Sequence, residues 1–97
     1  MSPVSGLSAF RAVISGRVTG VGFRYEALHF ATARSLGGWA RNLDDGRLEV
    51  FAEGPDHLLS EFREWLRVGP PAARVDAVEF NQVPWDQSRA GAFTIRP

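Results

Sequence analysis

The order in which the apolar residues change period constrains this chain more than any other feature. Over residues 8–15, Phe10, Ala12 and Ile14 alternate with Ala9, Arg11 and Val13, the repeat of a strand. From Phe23 the repeat lengthens: Phe23, Ala27, Phe30 and Ala31 fall at i, i+4, i+7 and i+8, one apolar stripe of a helix. Gly37-Gly38 breaks that run. Residues 39–42 and 47–53 then read as two strands joined by Leu43-Asp44-Asp45-Gly46, a hairpin signal. In the second of them Leu48, Val50 and Ala52 face one way, Glu49 and Glu53 the other. Gly54-Pro55-Asp56 opens a second helix, with proline where a missing N–H costs nothing. Its stripe is Leu58, Leu59, Phe62, Trp65 and Leu66, and Gly69-Pro70-Pro71 ends it. Residues 74–81 read as a further strand, where Val75 and Ala77 fall out of phase with Val78 and Phe80, the mark of a bulge. Residues 92–96 read as a short edge strand carrying Phe93 and Ile95.

The resulting order is β-α-β-β-α-β plus a short terminal strand. Two right-handed crossovers around a hairpin give the α+β ferredoxin-like split arrangement, an antiparallel sheet with both helices on one face. Residues 1–7, small and polar, are expected as a flexible lead-in, and residues 8–97 as a single domain. Ninety-seven residues with 44% apolar content, seven Phe and three Trp can build one core without disulfide or metal staples. The tryptophans and phenylalanines are expected in that core or on helix faces. This fold hosts many functions, so function has to be read from a site.

Composition removes several classes of function. Cysteine is absent, which excludes disulfide scaffolds, thiolate zinc sites and cysteine nucleophiles and fits a reducing compartment. No apolar run reaches the roughly 18–20 residues of a membrane span, and MSPVSGLSAF lacks the basic-then-apolar pattern of a secretory signal. The expectation is a cytoplasmic chain that engages no membrane. Eleven arginines interleave with eleven acidic residues for zero net charge, which weighs against a nucleic-acid partner. There is no lysine, so lysine-dependent chemistry is excluded.

The junction between the first strand and the first helix reads Gly16-Arg17-Val18-Thr19-Gly20-Val21-Gly22-Phe23-Arg24. A helix beginning near Phe23 leaves its first N–H groups without intrahelical partners. Gly20 and Gly22 let the preceding backbone curl without Cβ obstruction, so that further N–H groups converge. Convergent amides at a helix N-terminus form an anion site, and Arg24 adds a planar, permanently charged fork suited to phosphoryl oxygens. Two named phosphate loops do not fit: a Walker loop needs lysine, and a dinucleotide fingerprint needs a third glycine where Tyr25 stands. On these grounds alone the stretch reads either as a phosphate site or as a glycine turn beside an ordinary surface arginine. A cation near a helix N-terminus opposes the dipole by roughly 0.3–1 kcal/mol unless an anion joins it.

The loop, followed by Gly38-Trp39-Ala40-Arg41-Asn42, Asp44-Asp45-Gly46 and the run from Leu48 to Gly54, strongly resembles the acylphosphatase family. The similarity extends to the helix ending Gly69-Pro70-Pro71 and to Phe93-Thr94-Ile95, and so takes in nearly the whole chain. The ordered combination is far more specific than any one short motif. It implies a small monomeric hydrolase, free of metal and cofactor, that cleaves the carboxyl–phosphate anhydride of small-molecule acyl phosphates. It further implies that Arg24 binds the phosphoryl group and that Asn42 positions the attacking water. The phosphate cradle would run through Thr19, Gly20, Val21, Gly22, Phe23 and Arg24, with phosphate or sulfate as a natural occupant.

The other chemical candidates read as bland. His29 falls within the first helix and His57 in the first turn of the second, neither paired with an obvious nucleophile, although histidine is the default acid–base suspect. Asp44 and Asp45 before Gly46 read as turn residues rather than a catalytic carboxylate pair. Two departures from the family pattern stand out: Thr19 replaces a common glutamine, and Arg34-Ser35 replaces a common Leu-Gly pair at the helix end. The spacing from Phe23 to Trp39 is unchanged, so the second departure predicts a local difference without displacement of Asn42. The rival readings are a non-catalytic anion-binding module, an RNA-binding domain of the same fold, and the related domain of larger carbamoyl-transfer maturation proteins. An anion sensor has no need to place a water, so the pairing of Arg24 with Asn42 favours the enzyme.

Overall fold

A computed structural model of the chain describes residues 6–84 and 91–97. Its elements follow the sequence periods: β1 (Leu7–Arg17), α1 (Phe23–Ala33), β2 (Gly37–Asn42), β3 (Leu48–Pro55), α2 (Asp56–Val68), β4 (Arg74–Val83) and β5 (Phe93–Ile95). The sheet order is β4-β1-β3-β2-β5. β3 lies between β1 and β2 and is antiparallel to both, and β4 is antiparallel to β1. This is the split arrangement expected from the sequence, with one amendment. β5 pairs with β2 in parallel, so the sheet is mixed. β4 and β5 occupy opposite edges, so the chain reaches β5 by a crossover, and no hairpin turn forces it antiparallel to its neighbour.

Boundaries moved where local chemistry allowed. Leu7, assigned to the lead-in by sequence, is the first residue of β1 and pairs with Pro55; residues 1–5 lie outside the described residues. Pro55 is the cap of α2 (φ −60°, ψ 138°), at the opening of the helix where the sequence placed it. The β4 bulge is real: the register passes from Ser15↔Ala77 to Gly16↔Val75, leaving Asp76 as the extra residue. At the end of α1 the Arg34-Ser35 departure has a local consequence only. Ser35 N–H donates to Thr32 O at 3.1 Å and Leu36 N–H to Ala31 O at 2.9 Å, a Schellman closure. Ser35 therefore takes φ +56°, the conformation glycine adopts without strain.

Both helices cover one face of the sheet. Phe10, Ala12 and Ile14 of β1 and Leu48, Val50 and Ala52 of β3 point at them and are almost fully buried. Phe62 of α2 sits at the centre, its ring 5.4 Å from Phe30, 5.8 Å from Phe93 and 6.2 Å from Phe10. The opposite face departs from the expectation that aromatics would lie in the core or on helices. There Trp39 stacks on Phe51 at 6.0 Å, and the Arg96 and Arg41 guanidiniums lie 4.5 and 5.5 Å from the Trp39 ring. Beside them Glu49 is buried between Arg41 (2.6 Å) and Arg11 (2.7 Å). The Arg96 and Arg41 guanidiniums thus stand over the Trp39 ring, where a stacked base would have to lie. Trp85 lies outside the described residues.

Candidate active site

The turn from β1 to α1 is pinned at both ends. Val18 is buried in the core, and so is Phe23, whose ring meets Trp65 edge-on at 5.4 Å. Between these anchors the backbone has to reverse within a few residues. Gly20 and Gly22 do so at φ +70° and +77°. A Cβ at either position would meet nothing within 4 Å, so glycine is required there by backbone conformation and not by space. Gly22 caps α1 in the left-handed region and, being glycine, offers no side chain to the first amides of the helix. The backbone bonds of this region begin at Glu26, whose N–H donates to Gly22 O at 3.0 Å; none is donated from Thr19 to Tyr25 among the described residues.

Arg24 stands in the first turn of α1, on the same pocket as Gly20 and Gly22, and it is held. Its Nη1 donates to the backbone carbonyl of Arg96 at 2.8 Å. Among the described residues no carboxylate pairs with it, whereas Arg11, Arg34, Arg41, Arg47, Arg67 and Arg74 each do. The Arg96 N–H in turn donates to Ala40 O at 2.8 Å, continuing the β2–β5 pairing. One residue thus joins the helix bearing Arg24 to the strand bearing Asn42.

Asn42 ends β2 two positions beyond the buried Ala40, which turns its side chain toward the helix face and α1. Its Oδ1 is buried and accepts no hydrogen bond among the described residues. An open pocket of about 160 Å³ collects Gly20, Gly22, Phe23, Arg24 and Asn42, with Val18, Tyr25 and Ile95 completing its walls. Thr19 and Val21, both expected in the cradle, do not line it: Thr19 is exposed, and Val21 packs against the core. Tyr25 and the Arg96 carbonyl are additions that sequence reasoning missed. Tyr25 sits next to Arg24 and could have been suspected from that alone. A backbone carbonyl far along the chain leaves no mark in the sequence.

The remaining candidates stay outside the pocket lining. His29 is exposed on α1 with its ring 5.3 Å from Tyr25, and His57 is exposed in the first turn of α2. Asp45 closes the β2–β3 turn by accepting from Arg47 N–H at 3.1 Å and from Arg47 Nε at 2.8 Å. The backbone hydrogen bond from Arg47 holds its carboxyl below the usual value, helped by the Arg47 charge. Among the described residues no group of three or more His, Cys, Asp and Glu side chains has metal-binding geometry. No described helix is long and apolar enough to cross a membrane.

An arginine without an acidic partner, in the first turn of a helix, is unfavourable until an anion arrives. The class so defined is a ferredoxin-like domain with a candidate oxyanion cradle in its first strand-to-helix turn. Within that class, the chain matches the acylphosphatase family over residues 10–95, and it belongs to that family. It is 51% identical over 76 residues to an acylphosphatase of Legionella pneumophila (strain Lens), covering 78% of this chain and 84% of that one. The crystal structure of acylphosphatase from Bacillus subtilis superposes with a TM-score of 0.86 at 37% identity, covering 94% of this chain and 99% of that one. An acylphosphatase structure from Coxiella burnetii gives a TM-score of 0.84 at 34% identity, covering 94% of each chain.

Proposed function

We propose that the protein hydrolyses acyl phosphates to carboxylate and inorganic phosphate by direct attack of a water on phosphorus, with Arg24 binding the phosphoryl group and Asn42 orienting the water. The observation that carries this reading is the meeting, in one pocket, of an arginine with no carboxylate partner among the described residues, a glycine turn at a helix N-terminus and a buried amide oxygen from a different strand. The first two suit the equatorial oxygens of a phosphoryl group in transit, where phosphoryl transfer concentrates its need for stabilisation. The third is an acceptor for a water O–H, and the amide group can also donate.

The chemistry asks for little more. The P–O bond to the acyl oxygen breaks and its electron pair leaves on a carboxylate, whose conjugate acid has a pKa of about 4. Departure therefore needs no general acid. The water oxygen forms the new P–O bond in line with the leaving oxygen, and its proton passes to a phosphoryl oxygen, since Asn42 is not a base. All these steps run on residues of one chain, which supports a monomer acting without cofactor. The absence of cysteine fits a reducing compartment and so supports a cytoplasmic one. Phosphate or sulfate is expected in the same cradle as product or mimic.

Benzoyl phosphate hydrolysis in ¹⁸O-labelled water with a chelator present tests the reading. The expected result is turnover well above buffer, label in phosphate, and strong loss in both Arg24→Ala and Asn42→Ala. A rate equal to buffer would sink the enzyme reading, and label in the carboxylate would sink attack at phosphorus.

A further inference from the structure

Among the described residues three large apolar side chains are exposed, Leu7, Tyr25 and Val68, and of these only Tyr25 borders the pocket. It is 62% exposed in the residue directly after Arg24, a position where an aromatic ring has no core to serve. Nor is the ring loose. His29, one turn further along α1, meets it edge-on at 5.3 Å and 80°. A ring already braced loses less conformational freedom when a ligand packs against it.

The pocket is small. Its volume of about 160 Å³ falls below the roughly 300–1,000 Å³ of pockets that enclose a drug-sized ligand. A phosphoryl group seated against the amides and Arg24 leaves little of that space, so the acyl portion must lie at the mouth. We infer that Tyr25 is the acyl-side wall: its ring contacts the acyl group and selects acyl phosphates with a flat or extended apolar acyl chain over the smallest ones. This rests on the acyl phosphate reading above and adds a substrate preference to it. The phosphoryl end is recognised by charge and amides common to every substrate of the class. Discrimination between substrates then falls to the ring at the rim.

The test compares benzoyl phosphate with acetyl phosphate on wild type, Tyr25→Ala, Tyr25→Phe and His29→Ala. Removing one aromatic contact predicts a rise in KM for benzoyl phosphate of about 3- to 10-fold in Tyr25→Ala. The readout is the ratio of the two KM values: the KM for acetyl phosphate and the inhibition constant of inorganic phosphate are expected to change less than the KM for benzoyl phosphate. Tyr25→Phe keeps the ring and should retain the preference; His29→Ala loosens the ring and should lose part of it. Equal KM changes on the two substrates, or no change on either, overturn the inference while leaving the hydrolase reading intact. Wild type that hydrolyses neither substrate overturns both.

Discussion

Replacing Gly22 with alanine isolates what the strand-to-helix turn requires of its backbone. Gly22 sits at φ +77°, ψ 14°, where an L-residue is strained by about 1–2 kcal/mol. Alanine also stiffens the unfolded chain, which offsets about 0.4–1 kcal/mol of that. No steric term enters, because a Cβ there would meet nothing within 4 Å. The net is a destabilisation of about 0.5–1.5 kcal/mol, or a Tm lower by roughly 3–10 °C for a domain of this size. Asparagine tolerates the left-handed region, so Gly22→Asn should recover most of the loss. The functional half of the prediction is read by thermal melts with and without inorganic phosphate. A bound ligand raises Tm by mass action, and a turn relaxed out of the left-handed region aims fewer amides at it. The phosphate-induced shift should therefore shrink in Gly22→Ala and persist in Gly22→Asn. An alanine variant as stable as wild type, with an undiminished phosphate shift, would refute the claim that this conformation builds the cradle.

The same conformational argument runs in reverse at Ser35, whose φ of +56° closes α1: Ser35→Gly should raise stability by about 0.5–1 kcal/mol in urea unfolding and leave kcat unchanged. Arg24→Lys keeps a positive charge but loses the fork that holds the Arg96 carbonyl with one nitrogen while facing the pocket with the rest. Its kcat/KM on benzoyl phosphate should fall by about 10²-fold or more, and a fall of only a few-fold would show that charge alone suffices. Asp45 has a lowered pKa in the folded chain through Arg47, so its contribution to stability is full above the ordinary carboxylate pKa and is lost as pH falls through the folded value. Asp45→Asn should reduce stability at neutral pH and flatten the acid limb of the stability profile, as read by urea midpoints from pH 7 down to about pH 3.

The fold was legible because periodicity and punctuation agreed along the chain. Phe10, Ala12 and Ile14 alternate and lie on the helix-facing side of β1, and the stripe through Leu59, Phe62 and Leu66 is the buried face of α2. What escaped was whatever depends on distant partners. The parallel pairing of β5 follows from which edge the chain reaches, and no local pattern in Phe93-Thr94-Ile95 records that. Trp39 and Phe51 are as apolar as core residues, yet strand alternation puts them on the face opposite the helices, with Glu49 buried among arginines beside them. Of the expected site residues, Asn42 was carried by family resemblance alone, and Arg24, Gly20 and Gly22 by backbone and charge physics as well. The restraint on Arg24 comes from a main-chain oxygen, and such an atom has no residue type by which sequence could announce it.

The central claim is a division of labour: the turn and Arg24 bind the phosphoryl group, and Asn42 serves the attacking water. The direct test is the dissociation constant of inorganic phosphate, measured beside kcat for Arg24→Ala and Asn42→Ala. Asn42→Ala should bind phosphate at close to wild-type affinity while its kcat falls by about 10²-fold or more, the scale of a misplaced reactant. Arg24→Ala should lose phosphate affinity and activity together. An Asn42→Ala protein that binds phosphate as poorly as it turns over substrate would contradict the division and return Asn42 to the binding site.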